Sequence, residues 1–554
     1  MNAVAAGDKD DPQASQRAVV EQTEKKKAAV KEGTRSPVKE TEEKKGLLPF
    51  TGRKKEEDVI ESIIDPLPPN INPVDSYWIE EPYARVFMMP IPRKGGELGY
   101  FVDEVRLNEK EREAFKKLTN ILSKELQPPK DMSVDAKAYV VSEANRLMQK
   151  YRFVMGVPIR DSAKKIEYYV RRDLIGYGAV NTIIEDRNIE DISCDGVNKP
   201  VYVWHKKYES MPSNVRFIHR ARFNDFIIKL AHFAGRHVST AFPIVDAMLP
   251  GKHRLAATYG EEVSTFGSTF TIRKFREEPF SIIDLINLGS LSPALAAYFW
   301  FLLDNRLTVI IMGGTGAGKT SFLNGLTNLF RPGMKIVSVE ETAELNIPHD
   351  NWVQFVSRES YGLGSAKLGE VTLFDLVKTS LRYRPDYLIV GEIRGEEAFV
   401  LFQAMATGHG GISTLHAENL DYAIKRLTSP PMNVAPPYIP LMNIACLVER
   451  VALPRKREGL PFGRRVRQVW EIKPDGTYET IVSWDPMEDA FRVEFDKSVH
   501  MPNVSLRHGM PRDAYVMELQ MREAVIKWMM DNKITHFRDV AKTVTQFHAK
   551  RAKV

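Results

Sequence analysis

The chain has 554 residues, 43% of them hydrophobic and 27% charged, with a formal net charge of +6 and two cysteines. At ~100–200 residues per domain that length is too great for one core and predicts about three domains. The values are ordinary for a soluble globular protein; the mild basic excess permits contact with an acidic membrane face or nucleic acid without demanding either, and Cys194 and Cys446, far apart and without metal-type spacing, exclude a disulfide-stapled scaffold and read as reduced core residues of a cytoplasmic protein.

Residues 1–62 are rich in Lys, Glu, Ala, Ser and Thr, with charge runs such as Lys25-Lys26-Lys27 and Glu42-Glu43-Lys44-Lys45. They read as a disordered charged tail that lacks the apolar core of a signal peptide. The Leu47-Leu48-Pro49-Phe50 patch in it is either a docking motif or an apolar island. A strand-and-helix subdomain is expected over 63–155. Alternation through Ala84, Val86 and Met88 suits strands, broken by a Lys94-Gly95-Gly96 turn. Asn108 and Glu111 have the spacing of a capping box ahead of Phe115, Leu118, Leu122 and Leu126, which recur at helical spacing, and a second helix is expected over about 134–151. An α+β domain is expected over 156–280. It has a helix reaching Leu174, strands at 189–194 and 200–205 joined through Asp195-Gly196, a helix over 223–235, and strands at 254–258 and 268–274.

The apolar run 294–303 is the best candidate for a membrane span. Asp304-Asn305-Arg306 cuts it far short of the roughly 20 residues such a helix needs, so any membrane role is expected to be peripheral. Within a domain expected over 281–510, residues 290 to about 470 alternate strand and helix, the pattern of an α/β parallel sheet with crossover helices. Strands are expected at 307–312, 335–340, 386–391 and 411–415. Residues 511–554 read as a small helical cap, with Val516, Leu519, Val525 and Met529, then Phe537, Val540, Val544 and Phe547 at helical spacing.

The richest chemistry lies at residues 313–320, GGTGAGKT, directly after the apolar run Thr308-Val309-Ile310-Ile311-Met312. Buried strand, glycine turn and helix start are the context of a phosphate-binding loop. Gly313, Gly314, Thr315, Gly316, Ala317, Gly318, Lys319, Thr320 and Ser321 are the candidate ATP-binding residues. The glycines let successive N–H groups face an anion, Lys319 places a charge on the outer phosphates, and Thr320 offers a hydroxyl to Mg²⁺. Three clusters follow at strand ends. Val339-Glu340-Glu341-Thr342-Ala343-Glu344 supplies carboxylates to orient or deprotonate an attacking water, or merely caps the next element. Pro385 to Arg394 is an apolar strand ending in Glu392, a candidate Mg²⁺ ligand, directly or through water. Arg394 there is a phosphate sensor or the partner of a nearby acid. Gly408-His409-Gly410-Gly411-Ile412-Ser413-Thr414-Leu415-His416-Ala417 places His416 where it could donate to a γ-phosphate, against the alternative of a satisfied core histidine.

The order of loop, acidic cluster, strand-end Glu and histidine box resembles the type II/type IV secretion ATPase superfamily, the ring motors of the GspE, PilT, VirB and TadA kind. The likeness runs from about residue 64 onward. The stretches GEIRGEEAFVLFQAMATGHGG, IEDISCDGVNKPVYVWH and LTSPPMNV bring it closest to the archaeal branch, which includes the archaellum motor and archaeal pilus and secretion ATPases. The resemblance implies a RecA-like P-loop ATPase domain behind an α+β N-terminal domain. It implies Glu340 as the catalytic glutamate, Glu392 as the Walker-B acid and His416 as the γ-phosphate contact. Arg254 and Arg273, in the N-terminal domain, are implied to act like arginine fingers. Glu341 stands where the family usually has Asp, so the general base is Glu340 or Glu341. Also implied are Mg²⁺ with ATP, a homo-hexameric ring, a polytopic membrane platform protein as partner, pilin-like or secreted subunits driven indirectly, and a peripheral place at the cytoplasmic membrane face. The four-cysteine module of the GspE relatives is absent, so no zinc is expected. The alternatives are a nucleic-acid translocase or helicase on the same core, for which no basic and aromatic stripe is visible and no nucleic acid is expected, and a non-hydrolysing nucleotide-binding scaffold.

Overall fold

The computed structural model describes residues 64–68, 72–91, 96–128, 135–156, 159–358, 369–457 and 460–551. The expected tail and its Leu47-Leu48-Pro49-Phe50 patch lie outside the described residues, as do Lys94 and Gly95 of the expected turn.

Two large sheets carry the chain. The first takes β1 (Asp75–Glu80), β2 (Ala84–Pro90), β3 (Leu98–Glu104), β4 (Ile189–Cys194), β5 (Pro200–His205), β6 (Glu209–Arg216), β7 (Ile244–Leu249), β8 (His253–Thr258) and β9 (Thr269–Arg273). Their order is β1-β2-β3-β6-β5-β4-β9-β8-β7. All neighbours are antiparallel except β3 and β6, joined in parallel at Tyr100 and Ser213. Alternate residues of the strands, among them Ile192, Val203, Leu255 and Ile272, bury themselves against Phe223, Phe226, Ile227 and Leu230 of the helix Arg220–Phe233. The period of two on the strands and of 3.6 on the helix thus meet in one core. Between β3 and β4 the chain forms helices, and the first of them, Glu109–Glu125, has the capping box expected from Asn108 and Glu111.

The second sheet holds β10 (Val309–Met312), β11 (Ile336–Glu340), β12 (Trp352–Val356), β13 (Tyr387–Glu392), β14 (Gly410–Leu415), β15 (Ile444–Arg457), β16 (Leu460–Ile472), β17 (Tyr478–Asp485) and β18 (Ala490–Val493). The order is β12-β11-β13-β14-β10-β15-β16-β17-β18. The first six strands in that order pair in parallel, and β15 to β18 continue as an antiparallel meander. The parallel part is the expected RecA-like P-loop core. Its strands are apolar on both sides: Val309, Ile311 and Ile389 enter one core while Ile310, Met312 and Leu388 enter the other. A sheet buried on both faces reads as an unbroken apolar run. The meander departs from the expected alternation of strand and helix. Arg464, Arg465 and Arg467 interrupt the apolar pattern of β16, and Arg465 is nevertheless fully buried, held by Asp489 at 2.7 and 2.9 Å and by the Leu288 carbonyl at 3.1 Å.

The apolar run near residue 300 is a core helix, Pro293–Asp304, capped by Ser292 and with Pro293 in its first turn. Every residue from Leu295 to Leu303 is buried. The helix Tyr515–Asp531 covers it, tied down by Arg522 Nη2 to Asp304 at 2.7 Å. Among the described residues no helix is long and apolar enough to cross a membrane.

Candidate functional site

The phosphate loop leaves the sheet between three parallel strand ends. Met312, last in β10, is flanked by Leu415 of β14 and Leu447 of β15. Ligand sites of open α/β sheets lie at such C-terminal strand ends. Two glycines are required by the geometry. A Cβ on Gly313 would stand 2.3 Å from the Val448 carbonyl oxygen, and Gly318 has φ +92° with Arg464 Cδ 2.7 Å from where its Cβ would be. The helix Lys319–Thr327 then begins, so its free N–H groups and positive end face the loop. Ala317 is buried and anchors the loop, Gly314, Thr315 and Gly316 are exposed, and Thr320 and Ser321 are half-buried at the helix start.

Lys319, 8% exposed, donates to the carbonyls of Gly313 at 3.1 Å and Gly314 at 2.9 Å. Its Nζ lies 3.3 Å from His416 Nε2. That imidazole nitrogen is 3.2 Å from Glu392 Oε1. Glu392 Oε2 accepts from Arg394 Nη2 at 2.7 Å, and Arg394 Nη1 reaches Glu341 Oε2 at 3.3 Å. A chain of contacts therefore links Lys319, His416, Glu392, Arg394 and Glu341 across the ends of β10, β14, β13 and β11. Arg394 is the partner of two acids. His416 is pinned from behind by Arg426, whose Nη1 donates to its carbonyl at 2.6 Å. His409, by contrast, caps a helix end through Thr407 and the Ala404 carbonyl.

The charges in this chain tune one another. Burial lowers the His416 imidazole and the Lys319 charge lowers it further, against the pull of Glu392. Burial pushes Glu392 up, but the hydrogen bond and charge of Arg394, with His416 and Lys319, bring it below the ordinary carboxylate value. Burial likewise lowers Lys319, with Glu392 and Glu344 pulling the other way. Glu392 Oε1 is buried and, although close to His416, has no donor aligned on it. An ionised oxygen of this kind, with the Thr320 hydroxyl at the loop end, is a hard donor set that fits Mg²⁺.

Glu340 ends β11 and is 2% exposed. Its Oε1 accepts from the N–H groups of Glu344 and Leu345, both at 2.8 Å, and its Oε2 from Gln354 Nε2 at 2.8 Å. One lone pair of Oε2 stays free. Burial raises its carboxyl above the ordinary value, and these three hydrogen bonds oppose that rise without cancelling it. Glu341 is half in solvent and bonded to Arg394.

Arg254 and Arg273 stand opposite each other on β8 and β9. Arg254 is paired with Asp246 at 2.9 Å. The Asp246 hydrogen bond raises its guanidinium most, and the charges of Glu341 and Glu344 add to it. Arg273 pairs with Asp191 at 3.2 Å and is otherwise largely in solvent, so in this structure each arginine is partnered by an acid of its own sheet.

Three residues at the site carry no motif signal. Arg426 orients His416. Arg464 of β16 lies over the loop, its Nε donating to the Gly316 carbonyl at 3.2 Å. Gln354 holds Glu340; its one visible sign is a polar residue between Val353 and Phe355 in an otherwise apolar strand.

Similarity to known proteins follows the same residues. The family model described as type II/IV secretion system protein matches residues 177–450. An uncharacterised protein of Methanocaldococcus jannaschii, MJ0900, is 36% identical over 398 residues, covering 70% of each chain. A putative conjugal transfer protein of Mycobacterium tuberculosis, Rv3659c, is 34% identical over 45% of this chain and 71% of its own. Protein VirB11 of Agrobacterium fabrum is 38% identical over 24% of this chain and 38% of its own.

Proposed function

The chain belongs to the type II/IV secretion system protein family, and we propose that within it this protein is an ATPase: a hexameric ring motor, peripheral at the cytoplasmic membrane face. In this reading it acts on a polytopic platform protein to assemble a pilus-like filament of the archaeal kind, archaellum or pilus, or to drive secretion. The observation that carries the reading is the contact chain from Lys319 through His416 to Glu392 at the mouth of the phosphate loop.

The loop N–H groups and Lys319 hold the outer phosphates of ATP. A water attacks the γ-phosphorus, its proton passes to the free lone pair of Glu340, and the bond to the bridging oxygen breaks to give ADP and phosphate. Glu340 suits the role because three donors fix its orientation while burial makes it a stronger base than an exposed carboxylate. His416 donates to the γ-phosphate. Thr320 and Glu392 would hold Mg²⁺, whose charge would offset that of the triphosphate. Arg254 and Arg273 add positive charge when the N-terminal domain closes. The hinge is the link from β9 to the helix Ile282–Asn287, near Arg276-Glu277-Glu278-Pro279. A ring lets rotation-related contacts close the sites in sequence.

Phosphate release from ATP and Mg²⁺ by the full chain, with and without single- and double-stranded DNA, tests this. Turnover that DNA leaves unchanged is expected. Turnover that requires DNA would favour a translocase, and tight binding without hydrolysis a scaffold.

A further inference from the structure

A hydrogen-bonded chain crosses from the first sheet into the phosphate-loop domain and ends on Glu340. It starts at the turn between β7 and β8, where Gly251 and Lys252 both have left-handed backbone, φ +83° and +62°. That turn aims Lys252 across the domain boundary. Its ammonium lies 5.2 Å from the centre of the Phe275 ring and donates to Gln354 Oε1 at 3.2 Å. The other end of the same amide, Nε2, donates to Glu340 Oε2 at 2.8 Å and to the Leu345 carbonyl at 3.3 Å.

The amide has one satisfactory orientation. An ammonium only donates and a carboxylate only accepts. Reversed, Gln354 would set N–H against the ammonium and its carbonyl oxygen against the carboxylate. Lys252 thus adds to Glu340 and the Leu345 carbonyl in fixing which way Gln354 points, and Gln354 supplies one of the three hydrogen bonds that hold Glu340.

We propose that Gln354 is a positioning residue that reports the placement of the N-terminal domain to Glu340. With the β7–β8 turn seated, Lys252 locks the amide and Glu340 is held in line for a water. With the turn withdrawn, the Gln354 carbonyl loses its donor, the amide is held only through Glu340 and the Leu345 carbonyl, and its grip on Glu340 loosens. Domain closure then switches the base as well as delivering arginine charge. The proposal rests on the reading of Glu340 as the general base. The other charged groups around this chain are Glu341 and Glu344 of the acidic cluster and Arg254 on β8; none of them bonds to the Gln354 amide in the described structure.

The test uses the full chain with ATP and Mg²⁺, comparing Gln354→Met, which keeps volume but not the hydrogen bonds, Lys252→Met, which keeps an unbranched side chain but not the ammonium, and the double variant. Gln354→Met is expected to lower kcat ~10-fold, on the scale of one lost hydrogen bond to a charged group, with KM nearly unchanged. It should also move the acidic limb of the kcat pH profile upward, because a donor to the charged form of Glu340 is gone. Lys252→Met should shift both in the same direction by less, and the double variant should lose no more than Gln354→Met alone. Wild-type kcat with an unmoved acidic limb, or losses that multiply, would overturn the relay. Lys252 lies at an exposed turn, so its variant decides the matter even if Gln354→Met does not fold. Glu340→Gln measured alongside separates the two claims. If it is inactive while Gln354→Met is normal, the relay alone fails; if it turns over normally, the assignment of the base fails.

Discussion

Lys319 is buried between two loop carbonyls and an imidazole, and its charge has few competitors for an anion placed on the loop. Lys319→Ala is expected to weaken ATP binding ~10–100-fold, on the scale of a charged hydrogen bond or two, as measured by titration with a fluorescent ATP analogue. Gly318→Ala meets both a left-handed backbone and the Arg464 side chain. It should impair binding in the same titration, with Arg464→Ala restoring only part, since that change removes the collision but not the backbone strain. Glu340 gives a sign for pH dependence. Its carboxyl is raised by burial, so a base that must be unprotonated loses activity as pH falls through a value above that of an ordinary glutamate. An acidic limb of kcat at or below the ordinary value would count against Glu340. At this scale the glycines, Lys319, Glu392 and His416 were legible because motif chemistry fixes their spacing. Arg426, Arg464 and Gln354 were not, because each reaches the site from a segment whose local pattern says only strand or helix.

The elements that seat the site were legible where one period ran unbroken. The strands expected at 189–194 and 200–205 coincide with β4 and β5, and the four parallel strands expected around the loop lie within one or two residues of β10, β11, β13 and β14. The meander after β15 was hidden by three arginines in β16 that read as surface residues, of which the fold buries Arg465 against Asp489. The helix Pro293–Asp304 shows the converse: its apolar run could be read only as too short for a membrane, and the covering helix Tyr515–Asp531 gives the reason it is apolar on every side. That cover depends on a buried charge cluster. Arg522, 4% exposed, bonds Asp304 and Glu518, and Arg551 also bonds Glu518. Arg522→Ala leaves Asp304 without its arginine and Glu518 with Arg551 alone, and is expected to cost about 3–5 kcal/mol in urea unfolding. Burial raises the Glu518 carboxyl, but Arg551 and Arg522 pull it down to about 2. A depressed carboxyl stabilises above its unfolded value, so this contribution is present near neutral pH and is lost as pH falls from about 4.5 towards 2. Arg551→Ala should bring acid unfolding, followed by tryptophan fluorescence, to higher pH.

At the scale of the molecule the two sheets are joined, among the described residues, by a short link and by few direct bonds. Glu209 at the start of β6 pairs with Arg450 of β15 at 2.7 Å, and Lys252 reaches Gln354. Both contacts are exposed, and an exposed ion pair is worth about 0–1 kcal/mol. Such weak latches suit domains that must open and close. Glu209→Ala should therefore leave the unfolding midpoint nearly unchanged, and a large destabilisation would mean that the interface is built to stay shut. Which filament or cargo such a motor would serve leaves no trace in the proposed nucleotide site, since triphosphate chemistry alone would set those residues. The central claim is that Glu340, on the end of β11, is the base of a hydrolytic site whose binding half is the phosphate loop. Its most direct measurement compares ATP binding and phosphate release in wild type and Glu340→Gln. The account predicts binding within a few-fold of wild type and phosphate release lower by ~10²–10⁴-fold; a Glu340→Gln protein that binds and hydrolyses ATP at the wild-type rate would contradict it.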